Sequence, residues 1–216
     1  MGAVLTAMLD TKTKEQLLSE IAGEVRACRR CPLHATRTNA VPGAGDPDAR
    51  VMLIGEAPGY YEDQQGLPFV GAAGQLLDRL LARAGLARGE VFIANILKCR
   101  PPKNRDPGGA ERAACAEFLD AQICTIQPRI ICLLGRVPLQ ALLDPEASIS
   151  RVHGSVVRRD GMLWVPLFHP AAALHQPKYR SLIEQDMLKI PGILAGLQPV
   201  EPADPPKALP QQPSLF

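Results

Sequence analysis

No run of 18 apolar residues occurs in the 216-residue chain, so no segment is expected to span a membrane. The opening stretch Met1 to Asp10 is too short, and too uncharged at its start, for a secretory signal. Without export the thiols are expected to stay reduced, and disulfides are not expected. Two nucleotide signatures are also missing. The chain has no Gly-Lys-Ser/Thr of a P-loop, and no Gly-x-Gly-x-x-Gly follows a strand-like run. That disfavours an enzyme built on a nucleoside triphosphate or NAD. No internal repeat is present. Net charge is only +2, which by itself says little about partners. One domain with tails is the simplest division of this length, and an apolar share of 46% is ample for a core.

What is present is more specific. Cys28 and Cys31 form a Cys-x-x-Cys, Cys99 follows an apolar run, and Cys115 falls on the helix after it. Two thiolates of a Cys-x-x-Cys can reach one centre, and two more complete a tetrahedral set. The last two flank a run rich in Lys and Arg, which favours metal ligation over core packing for all four. Cys124 and Cys132 read as buried small hydrophobes. Cations cluster twice: Arg29, Arg30 and Arg37 beside the first cysteines, then Lys98, Arg100, Lys103 and Arg105. Either cluster alone would read as a solvated face. Together, beside a rigid site, they suit a phosphate backbone.

Apolar periodicity predicts helices over Lys14 to Ala27, Ala72 to Ala84 and Ala110 to Ile126, one after Gly135 to Leu143, and a last one from Lys178 to about Lys189. Short apolar runs predict strands over Arg50 to Ile54, Val91 to Ile96 and Arg129 to Leu134. A hairpin around Asp160-Gly161 joins Val156 to Arg159 with Met162 to Phe168, which supplies a fourth core strand. Strands alternating with helices imply an α/β protein with a parallel sheet covered on both faces. Ligands of such sheets bind beyond the carboxyl ends of the strands. There the sequence places Gly55-Glu56-Ala57-Pro58-Gly59, Asn95 and His169-Pro170. Asn95 can read an amide-like edge such as that of uracil. His169 can donate to a developing oxyanion. Phe69, on a glycine-flanked loop, can stack a base. Taken singly, each has an ordinary structural reading: strand-end cap, structural histidine, core aromatic.

Together these segments resemble the motifs of family 4 uracil-DNA glycosylases. Gly55 to Gly59, with Glu62-Asp63 and Pro68-Phe69-Val70-Gly71-x-x-Gly74, is similar to the first motif. Asn95-x-x-Lys98-Cys99-Arg100-Pro101-Pro102 is similar to the second, and His169-Pro170-Ala171 to the third. The match runs in order from about Leu17 to Lys189. The resemblance implies a three-layer α/β/α domain over residues 14–196 with a four-stranded parallel sheet. It implies a structural [4Fe–4S] cluster on Cys28, Cys31, Cys99 and Cys115, with zinc the alternative occupant. It further implies that Phe69 stacks on a flipped uracil, Asn95 reads its edge, and His169 and the N–H groups near Glu56 and Ala57 face O2. Glu56 would place the water or stabilise the cationic sugar, and Glu62, or Tyr60, would exclude thymine's methyl group. Lys98, Arg100, Lys103 and Arg105 would meet DNA.

Two departures stand out. Ala173 replaces a leucine of the third motif, leaving Leu174 as the candidate wedge for the vacated base stack. The Lys-Arg-Arg-Ile-His insertion of a covalently trapping sister family is absent, which favours ordinary turnover. A non-catalytic nucleic-acid-binding module is the alternative function. Residues 1–13 read as an extension and residues 197–216 as a Pro-rich disordered tail. The tail ends in Gln212-Pro213-Ser214-Leu215-Phe216, which resembles a sliding-clamp-binding peptide. A monomer in the cytoplasm, associated with the nucleoid, is expected.

Overall fold

The computed structural model describes residues 12–197; all of the tail but Leu197, its clamp-type peptide included, and nearly all of the N-terminal extension lie outside them. Among the described residues there are six strands: β1 (Ala44–Gly45), β2 (Val51–Gly55), β3 (Phe92–Asn95), β4 (Ile130–Leu134), β5 (Val157–Arg159) and β6 (Met162–Leu167), in sheet order β1-β3-β2-β4-β6-β5. The four central strands are parallel, while β1 and β5 run antiparallel at the two edges. The sheet is therefore mixed and six-stranded, which corrects the expectation of a four-stranded parallel one. The β5–β6 hairpin was legible from its Asp160-Gly161 turn. The two-residue β1 was not, because so short a strand has no alternation to read.

Alternation along each central strand feeds two separate cores. Leu53, Ile93, Cys132 and Val165 face α3 (Ala72–Arg83), α8 (Pro177–Met187) and α9 (Ile190–Ala195). Met52, Ile54, Phe92, Ile131 and Trp164 face the other way, against α4 (Gly109–Ile126) and α5 (Arg136–Leu142), with Leu18 of α1 (Lys14–Ala27) at the margin. Helices thus cover both faces of the sheet. A third cluster joins Val25 of α1 to Leu97, Cys99, Cys115 and Phe118, so the N-terminal helix is docked through the cysteine-bearing segments.

Local signals explain the starts of these helices. Thr13 accepts the Gln16 N–H and Gln16 reaches back to the Thr13 N–H, a reciprocal cap on α1. Glu111 accepts the N–H of Gly108 at the start of α4. Periodicity missed the short helices α2 (Tyr60–Gln65), α6 (Ile149–Val152), α7 (Pro170–His175) and α9, each with two turns or fewer. Cys132 is buried in β4 as expected, whereas Cys124 lies exposed on α4, contrary to its reading as a core residue.

Candidate active site

The carboxyl ends of the central strands open onto a cleft of about 410 Å³ lined by Glu56, Ala57, Glu62, Phe69, Asn95 and His169, among others. Six residues chosen from three separated stretches of sequence thus share one cavity. In β2 and β3, Gly55 pairs with Asn95, which puts the first loop and the asparagine side by side. A Cβ at Gly55 would meet Asn95 Oδ1 at 2.4 Å and the Phe69 ring at 2.7 Å. Only glycine leaves both groups their place.

Asn95 is 2% exposed, and its Oδ1 is buried with no hydrogen-bond partner. Buried acceptors are ordinarily paired, so this oxygen marks where a donor from a ligand belongs. Phe69 adopts a left-handed backbone with φ +51°, a strained conformation for an aromatic residue. Two features hold it. Gly74 packs so closely that a Cβ there would fall 1.9 Å from the Phe69 carbonyl oxygen. One oxygen of Glu62 accepts the N–H groups of Val70 and Gly71 at 2.9 Å each, and the other accepts that of Gly59 at 3.2 Å. Glu62 lines the cleft, but its carboxylate is already engaged as a brace between two loops.

His169 caps α7, and its Nδ1 accepts the Ala171 N–H at 3.1 Å. Its ring stacks on Phe69 with centroids 5.5 Å apart and planes 27° from parallel. Burial lowers its pKa to about 4, against an opposing pull from Glu62, so the ring is neutral near pH 7. Glu56 is half-buried; burial raises its pKa, Asp106 adds to the rise, and Arg136 opposes it. The site therefore offers a neutral imidazole donor, an open amide, an aromatic face and a carboxylate.

The cationic residues divide. Lys103 is exposed, and Arg100 is half-buried, its guanidinium over the Tyr60 ring and its Nε–H on Asn104 Oδ1 at 2.8 Å. Arg105 lines the cleft, but its guanidinium is spent on both oxygens of Glu111 and holds that carboxyl down to about 2. Lys98 is not a DNA-facing residue. It is 1% exposed, and its Nζ donates to Asn95 O at 3.0 Å and to Gln122 Oε1 at 2.7 Å. A cation enclosed by the fold cannot meet a phosphate. Leu174 is 46% exposed on α7, whereas Ala173 packs on the core, so of the two only Leu174 projects outward.

The four predicted ligand cysteines are free thiols and line one small pocket with Arg37, Lys98 and Phe118. Arg37 donates to Cys99 Sγ at 3.0 Å, and the Lys98 N–H donates to Cys115 Sγ at 3.3 Å. Burial raises both thiol pKa values, and these donors oppose it. Donors aimed at sulfur suit thiolates. Among the described residues, no three His, Cys, Asp or Glu side chains are gathered as a site for a metal ion.

A model of the Uracil DNA glycosylase superfamily matches residues 42–188. The chain belongs to that superfamily. It is 46% identical over 190 residues to the Type-4 uracil-DNA glycosylase of Archaeoglobus fulgidus, covering 84% of this chain and 96% of the relative. The Type-4 enzyme of Sulfurisphaera tokodaii is 45% identical, over 80% of this chain and 83% of its own. A Type-5 uracil-DNA glycosylase of Thermus thermophilus is 37% identical but spans only 57% of this chain.

Sequence reasoning missed the supports of this superfamily cleft. Ala73 and Asn104 line it unannounced, and Gly135 leaves room for His169: a Cβ there would fall 3.1 Å from that of the histidine. The left-handed Lys103 and Asn104 (φ +55° and +54°) shape the 101–105 loop. Asparagine is enriched in that conformation, but lysine is not, so Lys103 carries no signal of it. Gln122, the buried partner of Lys98, looked like any polar residue of a helix.

Proposed function

We propose that the chain removes uracil from DNA by hydrolysing the N-glycosidic bond, leaving an abasic site for base excision repair. The observation that carries this reading is the buried, unpartnered Oδ1 of Asn95 beside the Phe69 and His169 rings. A planar base with an N–H next to a carbonyl satisfies it. Uracil N3–H donates to Oδ1, and the Asn95 amide N–H donates to O4. Cytosine presents an acceptor and a donor in those places and leaves like groups opposed.

The base must leave the duplex to enter the cleft. Phe69 stacks on it, and Leu174 takes its place in the helix. As the glycosidic bond lengthens, charge grows on O2 of the departing uracil and the sugar becomes cationic. The neutral His169 ring donates from Nε2 toward O2, with N–H groups near Ala57 beside it. Glu56, ionised, faces the developing cation and places the water that completes the hydrolysis. Arg100 and Lys103 are left to meet phosphates. Exclusion of thymine falls to crowding around C5, to which Glu62 contributes through the loops it braces, with Tyr60 the second candidate.

The four thiols would hold a [4Fe–4S] cluster, which supplies a cross-link rather than chemistry for the base. What supports it is the shared pocket and the N–H donors on Cys99 and Cys115. Zinc is the alternative occupant. The segment Gln212 to Phe216 is proposed to bind a sliding clamp through Leu215 and Phe216, and a monomer is the proposed working form. No helix among the described residues is long and apolar enough to cross a membrane.

The test is a uracil-containing oligonucleotide treated with the purified full chain and then with alkali. Strand cleavage at the uracil position is expected. Intact strands at enzyme excess would refute the function.

A further inference from the structure

Among the described residues Lys98 is the only buried Lys or Arg, and the chemistry above makes no use of it. Its side chain meets two neutral oxygens, Asn95 O and Gln122 Oε1. Gln122 is itself fixed, its amide donating to Pro42 O at 2.7 Å. An enclosed cation without a carboxylate partner is costly. A methionine would pack the same space without that cost, so packing alone does not account for the lysine.

What the ammonium holds is the main chain of the residue that would read the base. The Asn95 amide has no partner on Oδ1, so nothing of the protein anchors that oxygen. Its position follows from its own backbone and from the walls made by Gly55 and Phe69. The backbone there is at the end of β3, where the strand ladder would ordinarily fray. It does not: Ile96 N–H donates to Gly55 O and Leu97 N–H to Glu56 O, both at 3.0 Å. Lys98 closes the turn by reaching back to the Asn95 carbonyl. Its own carbonyl accepts the Val41 N–H at 2.7 Å, and its own N–H donates to Cys115 Sγ. One residue therefore touches the base-reading position with its side chain and the cysteine pocket with its main chain.

We propose that Lys98 is a positioning residue for uracil: its bond to the Asn95 carbonyl sets the Asn95 amide in register with the base, and its main-chain bond to Cys115 ties that register to the cysteine pocket. The inference rests on the function proposed above. It also explains why a pocket with no part in bond cleavage lies three residues from the base reader in sequence. Whatever binds the four thiols stiffens the segment that aims Asn95.

The experiment is a double-mutant cycle of Lys98→Met and Asn95→Ala in the full chain. It measures kcat and KM on a single-uracil oligonucleotide, the affinity for free uracil by calorimetry, and the melting temperature. Lys98→Met is expected to lower kcat by roughly 10²-fold, the scale of a small misplacement of a reacting geometry. It should weaken free uracil in parallel and leave KM for DNA nearly unchanged. In the Asn95→Ala background the same substitution should change kcat little, because the residue it acts through is gone. Independent, multiplying losses would overturn the proposal. So would a Lys98→Met protein that melts earlier but keeps its kcat and its uracil affinity. If Lys98→Met does not fold, Lys98→Gln, shorter by one bond, carries the same cycle. A wild-type chain that releases no uracil would overturn the proposed function itself and this inference with it.

Discussion

The backbone N–H of Ala171 donates to Nδ1 of His169 at 3.1 Å, which makes Nε2 the protonated nitrogen of a neutral ring. A helix cap thereby fixes the tautomer that the chemistry needs. The consequence can be read in stability. Burial holds the folded ring at a pKa of about 4, while the unfolded ring titrates near ~6.5. Between those values the unfolded chain binds the proton and the folded chain does not. The stability His169 contributes is therefore complete above ~6.5 and is lost as pH falls toward 4. Denaturant titrations across this window should show a decline that His169→Gln flattens.

Excision should fall in acid through Glu56. Burial and Asp106 raise its pKa above 4.5, and Arg136 opposes them. The acid limb of kcat/KM should therefore lie above the ordinary carboxylate value. Asp106→Asn should move the limb to lower pH, and Arg136→Met to higher pH, with the plateau rate largely kept. A limb that stays in place in both variants would remove Glu56 from the titration.

In the base pocket, Asn95→Ala should cost roughly 10²–10³ in rate, the scale of one lost transition-state donor, with DNA affinity nearly intact. Gly55→Ala should be at least as damaging, although it removes no functional group. Its methyl would fall 2.4 Å from Asn95 Oδ1 and 2.7 Å from Phe69. Single-turnover rates on one oligonucleotide compare the two variants directly.

DNA contacts should sort by exposure. Arg100→Gln and Lys103→Gln should each reduce the salt slope of DNA binding by about 1, as expected when one phosphate contact is lost. The enclosed Lys98 should not move the slope when changed to Met. Leu174→Ala should slow excision from duplex more than from single strands, since only the duplex needs its gap filled. Equal slowing on both would argue against a wedge.

For the cysteine pocket, Cys99→Ser and Cys115→Ser should lose bound iron and the broad absorbance near ~400 nm expected of thiolate-ligated clusters. Cys132→Ser, inside β4, should keep both. Zinc in place of iron in anaerobically prepared protein would overturn the iron assignment and leave the four-thiolate reading standing.

The sequence was legible where periodicity or chemistry repeats. The predicted α1, from Lys14 to Ala27, agrees with the structure end to end, because an apolar stripe marks it; the Thr13–Gln16 cap that fixes its start emerged only in the structure. The motif residues Glu56, Phe69, Asn95 and His169 meet at one cleft, because a parallel sheet brings its strand ends together. Lys98 was misplaced for a physical reason. Lysine in a basic run is ordinarily solvated, and the residue that encloses this one, Gln122, lies 24 positions away with no signal of its own. Glu62 looked like a cleft carboxylate, yet its partners are backbone N–H groups, which no side-chain pattern announces. The β1 and β5 edges make the sheet mixed: β5 was read from its hairpin turn, whereas the two residues of β1 hold too little sequence to show a period.

The most direct test of the account is to identify the released base. A duplex with a single labelled uracil is incubated with wild type, Asn95→Ala and His169→Ala, and the products are separated by chromatography. Free uracil from wild type, with release slowed by roughly 10²–10³ in each variant, is the predicted result. Release at the wild-type rate by both variants, or none from wild type, would contradict it.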